Sequence, residues 1–134
     1  KRSDLIYELD YFTSNLPYPL IKRFSLKNTI NPIESIELIF KGKFSFIKGN
    51  SLALLNLNRE KKDFTKITEF LKIFKNFTNK DNLLITNTLN QTYDFTNIIL
   101  VLQPGVISYQ ELELYLEDLN LLESKVVGFI YIET

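Results

Sequence analysis

The chain has 134 residues, of which 45% are hydrophobic and 13% aromatic, so it carries enough apolar side chains to bury a core. Sixteen basic residues balance sixteen acidic ones, and this neutrality disfavours nucleic acid and anionic membrane surfaces as partners. The sequence contains no Cys and no His, which excludes disulfides, the usual zinc sites, Cys nucleophiles and imidazole bases.

The N-terminal segment is predicted to form a short helix and then a connector. Apolar residues recur on one helical face with Asp4 available as N-cap: Leu5, Leu9 and Phe12. Two prolines then stop regular structure. The run Leu20–Phe24 fits either an edge strand or an extended connector, and periodicity does not separate the two.

A second helix is predicted from Pro32 to Lys41. Asn31 can serve as its N-cap, the proline occupies the first helical position, and Glu34 places an acid in the first turn. The KFSFIK segment that follows, with its alternating phenylalanines, fits either a strand or a loop pinned to the core.

The middle of the chain is predicted as a strand, a helix and a second strand. Ser51–Leu57 is a continuous apolar run typical of a buried strand. Residues 63–77 have the pattern of an amphipathic helix that begins at Asp63 as its cap. Leu83–Thr86 is another short apolar strand, and Asn90–Asp94 is a polar connection.

The C-terminal part reads as a complete strand, helix and strand unit. Asn97–Leu102 and Val126–Ile132 are β-branched apolar runs, typical of strands buried on both faces of a parallel sheet. Between them, Ser108 and Glu111 have the spacing of a capping box and open a helix predicted over residues 109–123. The pattern favours a right-handed βαβ crossover.

Strands that alternate with helices predict a small three-layer α/β domain with a mostly parallel sheet. We predict one domain over residues 1–134, because neither an internal repeat nor a low-complexity linker interrupts it. An apolar run of the ~18 residues that a membrane span needs is absent from the sequence.

Three segments carry a family resemblance: SDLIYELDYFTSNLPYPLIKRFS, NPIESIEL and LVLQPGVISYQELELYLEDLNLLESKVVGFIYI. In this order they resemble the cytoplasmic part of the bacterial tyrosine-kinase and chain-length-determinant proteins of capsular and exopolysaccharide export, which belong to the P-loop class. The resemblance spans almost the whole chain. It implies a reduced P-loop-like topology, with residues 1–30 as post-membrane helix and connector and residues 31–134 as a degenerate kinase-like core.

The phosphate-binding motif of that family is broken. Where the family carries Gly-Glu-Gly-Lys-Ser/Thr, this chain has Arg59-Glu60-Lys61-Lys62-Asp63-Phe64. Glu60 and Lys62 align with the motif and are the weak candidates for a vestigial phosphate site. Both glycines and the hydroxyl are replaced, and Asp63 adds a negative charge where phosphate should bind. We interpret Lys62 as a solvated lysine.

The other family motifs are also altered. Asn87-Thr88 stands where metal-binding or water-orienting carboxylates belong, so the resemblance implies no magnesium site. Glu34, Glu37 and Phe40 stand at the Glu, Arg and Arg positions of the family's oligomerisation motif Glu-x-x-Arg-x-x-Arg. Only Glu34 matches the motif, so it is the possible oligomer contact. A C-terminal tyrosine cluster is missing, and Tyr131 is predicted to be a packing residue.

Two further features have structural interpretations. The acidic residues of the 109–123 helix are predicted to be an exposed face rather than a catalytic pair. Pro104-Gly105 follows a strand at the sheet edge where α/β proteins bind ligands, but an ordinary turn is favoured. Asn87 and Gln103 stand where a receiver-type phosphoacceptor would need Asp.

These observations lead us to expect a non-catalytic, pseudokinase-like domain of a polysaccharide chain-length regulator. It would have no catalytic residue, cofactor or metal, would bind export proteins or its own copies, and would lie on the cytoplasmic side of the inner membrane, anchored only through a segment outside this sequence. Two alternatives stay open: a nucleotide- or phosphate-binding enzyme with a non-standard site near Lys62, and an unrelated α/β partner-binding domain.

Overall fold

The computed structural model describes residues 4–28, 31–58, 64–122 and 125–134. Its strands are β1 (Leu20–Ser25), β2 (Leu52–Asn56), β3 (Leu83–Thr86), β4 (Asn97–Leu102) and β5 (Val126–Glu133). They form one sheet in the order β1-β5-β4-β2-β3, and every neighbouring pair is parallel. The predicted α/β class with a parallel sheet is therefore confirmed.

The helices cover both faces of this sheet. They are α1 (Leu9–Asn15), α2 (Pro32–Lys41), α3 (Thr65–Leu71) and α4 (Tyr109–Asn120). Helices α1 and α4 pack on one face and α2 and α3 on the other, which gives three layers. Within the ranges that the structure describes, every helix is too short or too polar to cross a membrane.

Strand side chains alternate between two cores, because successive residues of a strand point to opposite faces. In β2, Ala53 and Leu55 contribute to the core under α1 and α4. Leu52 and Leu54 of the same strand contribute to the core under α2 and α3. This double burial explains why β2 and β4 are continuous apolar runs.

The two predicted helix starts with strong caps are confirmed. The Asn31 side chain accepts a hydrogen bond from the Glu34 N–H at 3.1 Å, and α2 begins at the next residue. Ser108 Oγ accepts from the Glu111 N–H at 3.1 Å, while Glu111 Oε1 accepts from the Ser108 N–H at 3.0 Å. This reciprocal pair is a complete capping box at the start of α4.

The prediction that Asp4 caps the first helix is wrong. Helix α1 begins at Leu9, with Glu8 in the N-cap position. The residues before it are extended, because Leu5 bridges Ser108 in antiparallel fashion and the Ile6 N–H donates to the Ile107 carbonyl at 2.9 Å. A long-range pairing therefore replaces the first helical turn.

The run Leu20–Phe24, predicted as either an edge strand or an extended connector, lies in the edge strand β1, which pairs with β5. Gly128 of β5 allows the close approach, since a Cβ there would lie 2.7 Å from the Ile21 side chain and 2.9 Å from the Pro19 carbonyl oxygen. The Phe129 N–H donates to that same carbonyl at 2.9 Å. The N-terminal segment is thus an integral part of the sheet.

Two other segments differ from the simplest prediction. Helix α3 ends at Leu71, and residues 72–76 continue as a 3-10 helix in which Phe74 packs edge-on against Phe40 at 5.8 Å between ring centroids. The predicted cap Asp63 lies outside the described residues, and the structure has Phe64 in the N-cap position. The KFSFIK segment is a turn with a 3-10 helix and not a strand, and Ile47 anchors it in the core.

Candidate functional site

The sheet has a topological switch point between β2 and β4. From β2 the chain runs outward to β3 at the edge, and it then returns past β2 to β4 on the other side. In open α/β sheets, ligands bind in the crevice outside the carboxyl ends of the strands at such a point. The residues that follow β2 and β4 are therefore the first candidates for a site.

Three buried amide side chains stand at this position. Asn56 ends β2, Asn58 follows two residues later, and Gln103 comes directly after β4. Their exposed fractions are only 7%, 6% and 5%. The register pairs Asn56 with Val101, and the Leu57 N–H donates to the Val101 carbonyl at 3.0 Å, so the ladder brings both chain segments to one end of the sheet.

Four polar atoms of these amides have no hydrogen-bond partner among the described residues: Asn56 Oδ1, Asn58 Oδ1, Asn58 Nδ2 and Gln103 Oε1. Nearly all buried polar groups in native proteins are paired, because desolvation without a partner costs free energy. Unpaired groups concentrated at the switch point mark this edge as a candidate ligand site. We call Asn56, Asn58 and Gln103 the amide cluster.

The end of β3 carries a local polar network instead of free groups. Thr86 Oγ1 donates to the Gln91 side-chain oxygen and accepts from the Thr88 N–H at 3.0 Å. Thr88 Oγ1 in turn donates to Asn87 Oδ1 at 3.3 Å. These hydroxyls and amides close the turn after β3, at the position where the family resemblance places metal-binding carboxylates.

An open groove of about 570 Å³ borders the amide cluster on the β3 side. Asn56 lines it together with Phe64, Thr68 and residues 83–88. Lys72 and Lys75 flank it, and Lys72 is held by an ion pair with Glu69 at 3.0 Å. Among the described lining residues the groove contains no carboxylate, so its walls are neutral or basic.

The N-terminal residues cover the other side of this edge. The Gly105 N–H donates to the Ile6 carbonyl at 2.8 Å, in a turn where Gly105 has φ +73°. Tyr131 Oη donates to the Tyr7 carbonyl at 3.2 Å.

Burial, with the nearby Glu133 carboxylate, raises the pKa of Tyr131 to about 12. Tyr131 is 2% exposed, which confirms its predicted packing role.

The predicted site residues are not brought together by the described structure. Glu60 and Lys62 lie outside the described residues. Glu34 is exposed in the first turn of α2 and accepts from Asn31 Nδ2 at 3.3 Å. Phe40, at the last position of the altered oligomerisation motif, is fully buried and therefore unavailable for a surface contact.

Two structural interpretations made from the sequence agree with the geometry. Glu113, Glu117 and Asp118 are exposed on the outer side of α4, while Glu111 serves the capping box. Pro104 and Gly105 form a turn, and Gly105 adopts in it the left-handed backbone conformation that glycine allows. Within the described ranges, groups of three or more His, Cys, Asp or Glu side chains with metal-binding geometry are absent.

Comparisons with protein-family profiles, curated proteins and solved structures found no match to this chain.

Sequence reasoning noted Gln103 at a strand end but missed Asn56 and Asn58. A signal was present, since the run SLALLNLN is apolar except for two asparagines at alternate positions near its end. Polar residues that interrupt the end of a buried parallel strand point to the carboxyl edge of the sheet. That their amides are buried without partners depends on the tertiary structure.

Proposed function

We propose that this chain is a non-catalytic, pseudokinase-like cytoplasmic domain of a capsular or exopolysaccharide chain-length regulator, acting in protein interaction or assembly. The observation that supports this most is the chemistry where the strands end. β2, β3 and β4 lead into Asn56, Thr86 and Gln103, which are neutral. Phosphoryl transfer requires positioned phosphates and a metal that is held mainly by carboxylates. Asn56, Thr86 and Gln103 supply neither a carboxylate for the metal nor a positive charge for the phosphates.

The architecture is compatible with this proposal. The segments that resemble the family include a short helix before an edge strand, a capped helix on one face, and a closing unit of strand, helix and strand. In the structure these are α1 with β1, then α2, then β4-α4-β5. A parallel three-layer α/β sheet whose strand ends carry amides and hydroxyls is compatible with a domain that performs no phosphoryl transfer.

Exposed apolar side chains on and beside α2 support a role in protein contacts. Leu38 of this helix is 61% exposed, and Phe46, in the 3-10 helix that contacts α2, is 50% exposed. Ile33 is 52% exposed on another side of α2. Large exposed apolar side chains are candidates for protein contacts. The proposed partners are export proteins or further copies of the chain, and the membrane is reached only through a segment outside this sequence.

The proposal is tested in the native host by deleting residues 1–134 in frame and measuring the length distribution of the exported polysaccharide. We expect the distribution to change. Leu38→Asp should reproduce part of the change, whereas Leu114→Asp, at an exposed leucine of α4, should not. An unchanged distribution after deletion would contradict the proposal and promote the unrelated partner-binding domain.

A second candidate function is binding of a phosphate-bearing ligand by an enzyme. The groove beside Asn56 favours it, because Lys72 and Lys75 flank that groove. The pairing of Lys72 with Glu69 weakens this attraction. Titration with inorganic phosphate, followed by the melting temperature, tests the candidate, since a ligand that binds only the folded state raises that temperature. Stabilisation lost in Lys75→Ala and kept in Lys66→Ala would support it.

A further inference from the structure

The amide cluster differs from the other polar groups because four of its atoms are buried and have no hydrogen-bond partner in the part of the chain that the structure describes. Asn56 continues the side-chain series of Leu52 and Leu54, on the face covered by α2 and α3. Asn58 and Gln103 extend the adjacent strands β2 and β4 at the same end. A buried polar group without a hydrogen-bond partner lowers stability. Sites that keep such groups are commonly functional.

The unpaired atoms define what a ligand must offer. Three of them are amide oxygens, which accept hydrogen bonds, and one is an amide nitrogen, which donates. Phosphate and carboxylate oxygens only accept, so they would face three oxygens of like polarity. An ammonium group only donates, and its charge would be buried beside neutral amides without an acid to offset it. A hydroxyl group both donates and accepts, and it carries no charge.

We propose that the amide cluster binds a neutral ligand rich in hydroxyl groups, of the sugar or polyol class, at the carboxyl edge between β2 and β4. Hydroxyl protons of the ligand donate to the three amide oxygens, and one hydroxyl oxygen accepts from Asn58 Nδ2. This site goes beyond the proposed protein-contact role and does not depend on it. It uses no metal and no charged side chain.

A ligand would approach the amide cluster through the groove beside Asn56, the member of the cluster that lines it. The groove that Asn56 lines has a volume of about 570 Å³, within the range of small-molecule sites. Hydroxyl and amide side chains continue along it, and Phe64 supplies an apolar wall against which the carbon face of a sugar ring can pack. The polar side chains of the groove that continue outward from Asn56 are hydroxyls and an amide: Thr68, Thr86, Asn87 and Thr88.

The proposal is tested by nuclear magnetic resonance on the 134-residue chain, following the side-chain NH₂ signals of its asparagines and glutamines. The probes are glucose, galactose, mannose, N-acetylglucosamine and myo-inositol, with inorganic phosphate as the anionic probe. At least one neutral probe should shift the Asn58 and Gln103 signals in a saturable way. Gln103→Met should abolish that shift, and Gln110→Met, at an exposed position of α4, should leave it intact.

A second measurement does not need the ligand. Without any probe, Asn56→Leu and Gln103→Met should raise the midpoint of denaturant unfolding, because each removes a buried amide oxygen that has no partner among the described residues. Gln110→Met should leave the midpoint unchanged. The proposal is overturned if no neutral probe shifts the cluster signals, if phosphate alone shifts them, or if the cluster variants lower the midpoint, which would mean that the amides are paired within the protein. If a variant fails to fold, the titration of the wild-type chain decides.

Discussion

The ring of Tyr7 lies directly over Gly105, so close that a Cβ on the glycine would sit 2.6 Å from the ring atom Cε1. The contact joins the extended N-terminal residues to the turn after β4. It also sits beside two backbone hydrogen bonds between these segments, from Ile6 N–H to Ile107 and from Gly105 N–H to Ile6. The N-terminal residues therefore form one wall of the carboxyl edge.

Gly105→Ala should lower the free energy of unfolding by more than Gly49→Ala does. Both glycines have a positive φ, +73° and +82°, so alanine adds backbone strain of about 1 kcal/mol at each. Only at Gly105 does the new methyl group also meet the Tyr7 ring, since the space around Gly49 is open. Denaturant unfolding of the two variants measures the difference.

A double-mutant cycle assigns that difference to Tyr7. Tyr7→Ala in the Gly105→Ala background should recover the part of the loss that exceeds the loss in Gly49→Ala. If the two substitutions are additive, the ring does not rest on the glycine as the structure places it.

Ser108→Ala should cost about 1 kcal/mol of stability, the usual loss for an N-cap residue. The substitution removes the oxygen that accepts from the Glu111 N–H at 3.1 Å. Ser14→Ala is a matched control, because Ser14 is exposed within α1 and should change stability little. Equal unfolding midpoints for the two variants would show that the capping box does not stabilise α4.

Tyr131 should make stability fall at high pH. Its pKa in the folded protein is raised to about 12, above the ordinary tyrosine value of 10.0, by burial and by Glu133. The folded state therefore holds the phenolic proton more tightly, so this contribution is complete below pH 10 and is lost as the pH rises toward 12. The measurement is the free energy of unfolding across that range.

Tyr131→Phe is the control for this pH dependence, since phenylalanine keeps the ring and cannot ionise. The variant should lose the hydrogen bond to the Tyr7 carbonyl, and its stability should decline less steeply above pH 10. Parallel curves for wild type and variant would mean that Tyr131 titrates alike in the folded and unfolded chains.

The elements that the sequence predicted best are those with local signals. Strands β2, β3, β4 and β5 are mostly apolar runs, and α2 and α4 begin with the caps Asn31 and Ser108. Such signals depend on residues within one turn or one strand of each other. Their positions were predicted to within a few residues.

The differences arise from contacts between distant residues. Asp4 has the chemistry of an N-cap, but the pairing of Leu5 with Ser108 holds that stretch extended. Helix α3 was expected to reach Phe77, yet the backbone tightens to a 3-10 helix at Lys72, where Phe74 and Phe77 pack on Phe40. A helical period alone does not reveal either competing contact.

The candidate site was predicted only in part for the same reason. The sequence places Pro104-Gly105 at an edge where α/β sheets bind ligands, but it favours an ordinary turn there, and Gln103 was noted only as a residue that replaces Asp. Asn56 lies inside the predicted apolar strand Ser51–Leu57 and Asn58 just after it, and the burial of both follows from the ladder with β4 and from the helices over that face. Residue type and spacing do not show which buried amides lack partners.

We propose that this chain performs no nucleotide chemistry. The most direct measurement is the melting temperature of the purified chain titrated with ATP in the presence and absence of Mg²⁺, with autophosphorylation and ATP hydrolysis followed in the same samples. We predict no Mg²⁺-dependent rise in melting temperature and no activity, because Asn56, Thr86 and Gln103 at the strand ends supply no carboxylate to hold a metal. A Mg²⁺-dependent rise that Lys62→Ala abolishes and Lys66→Ala retains would contradict the claim.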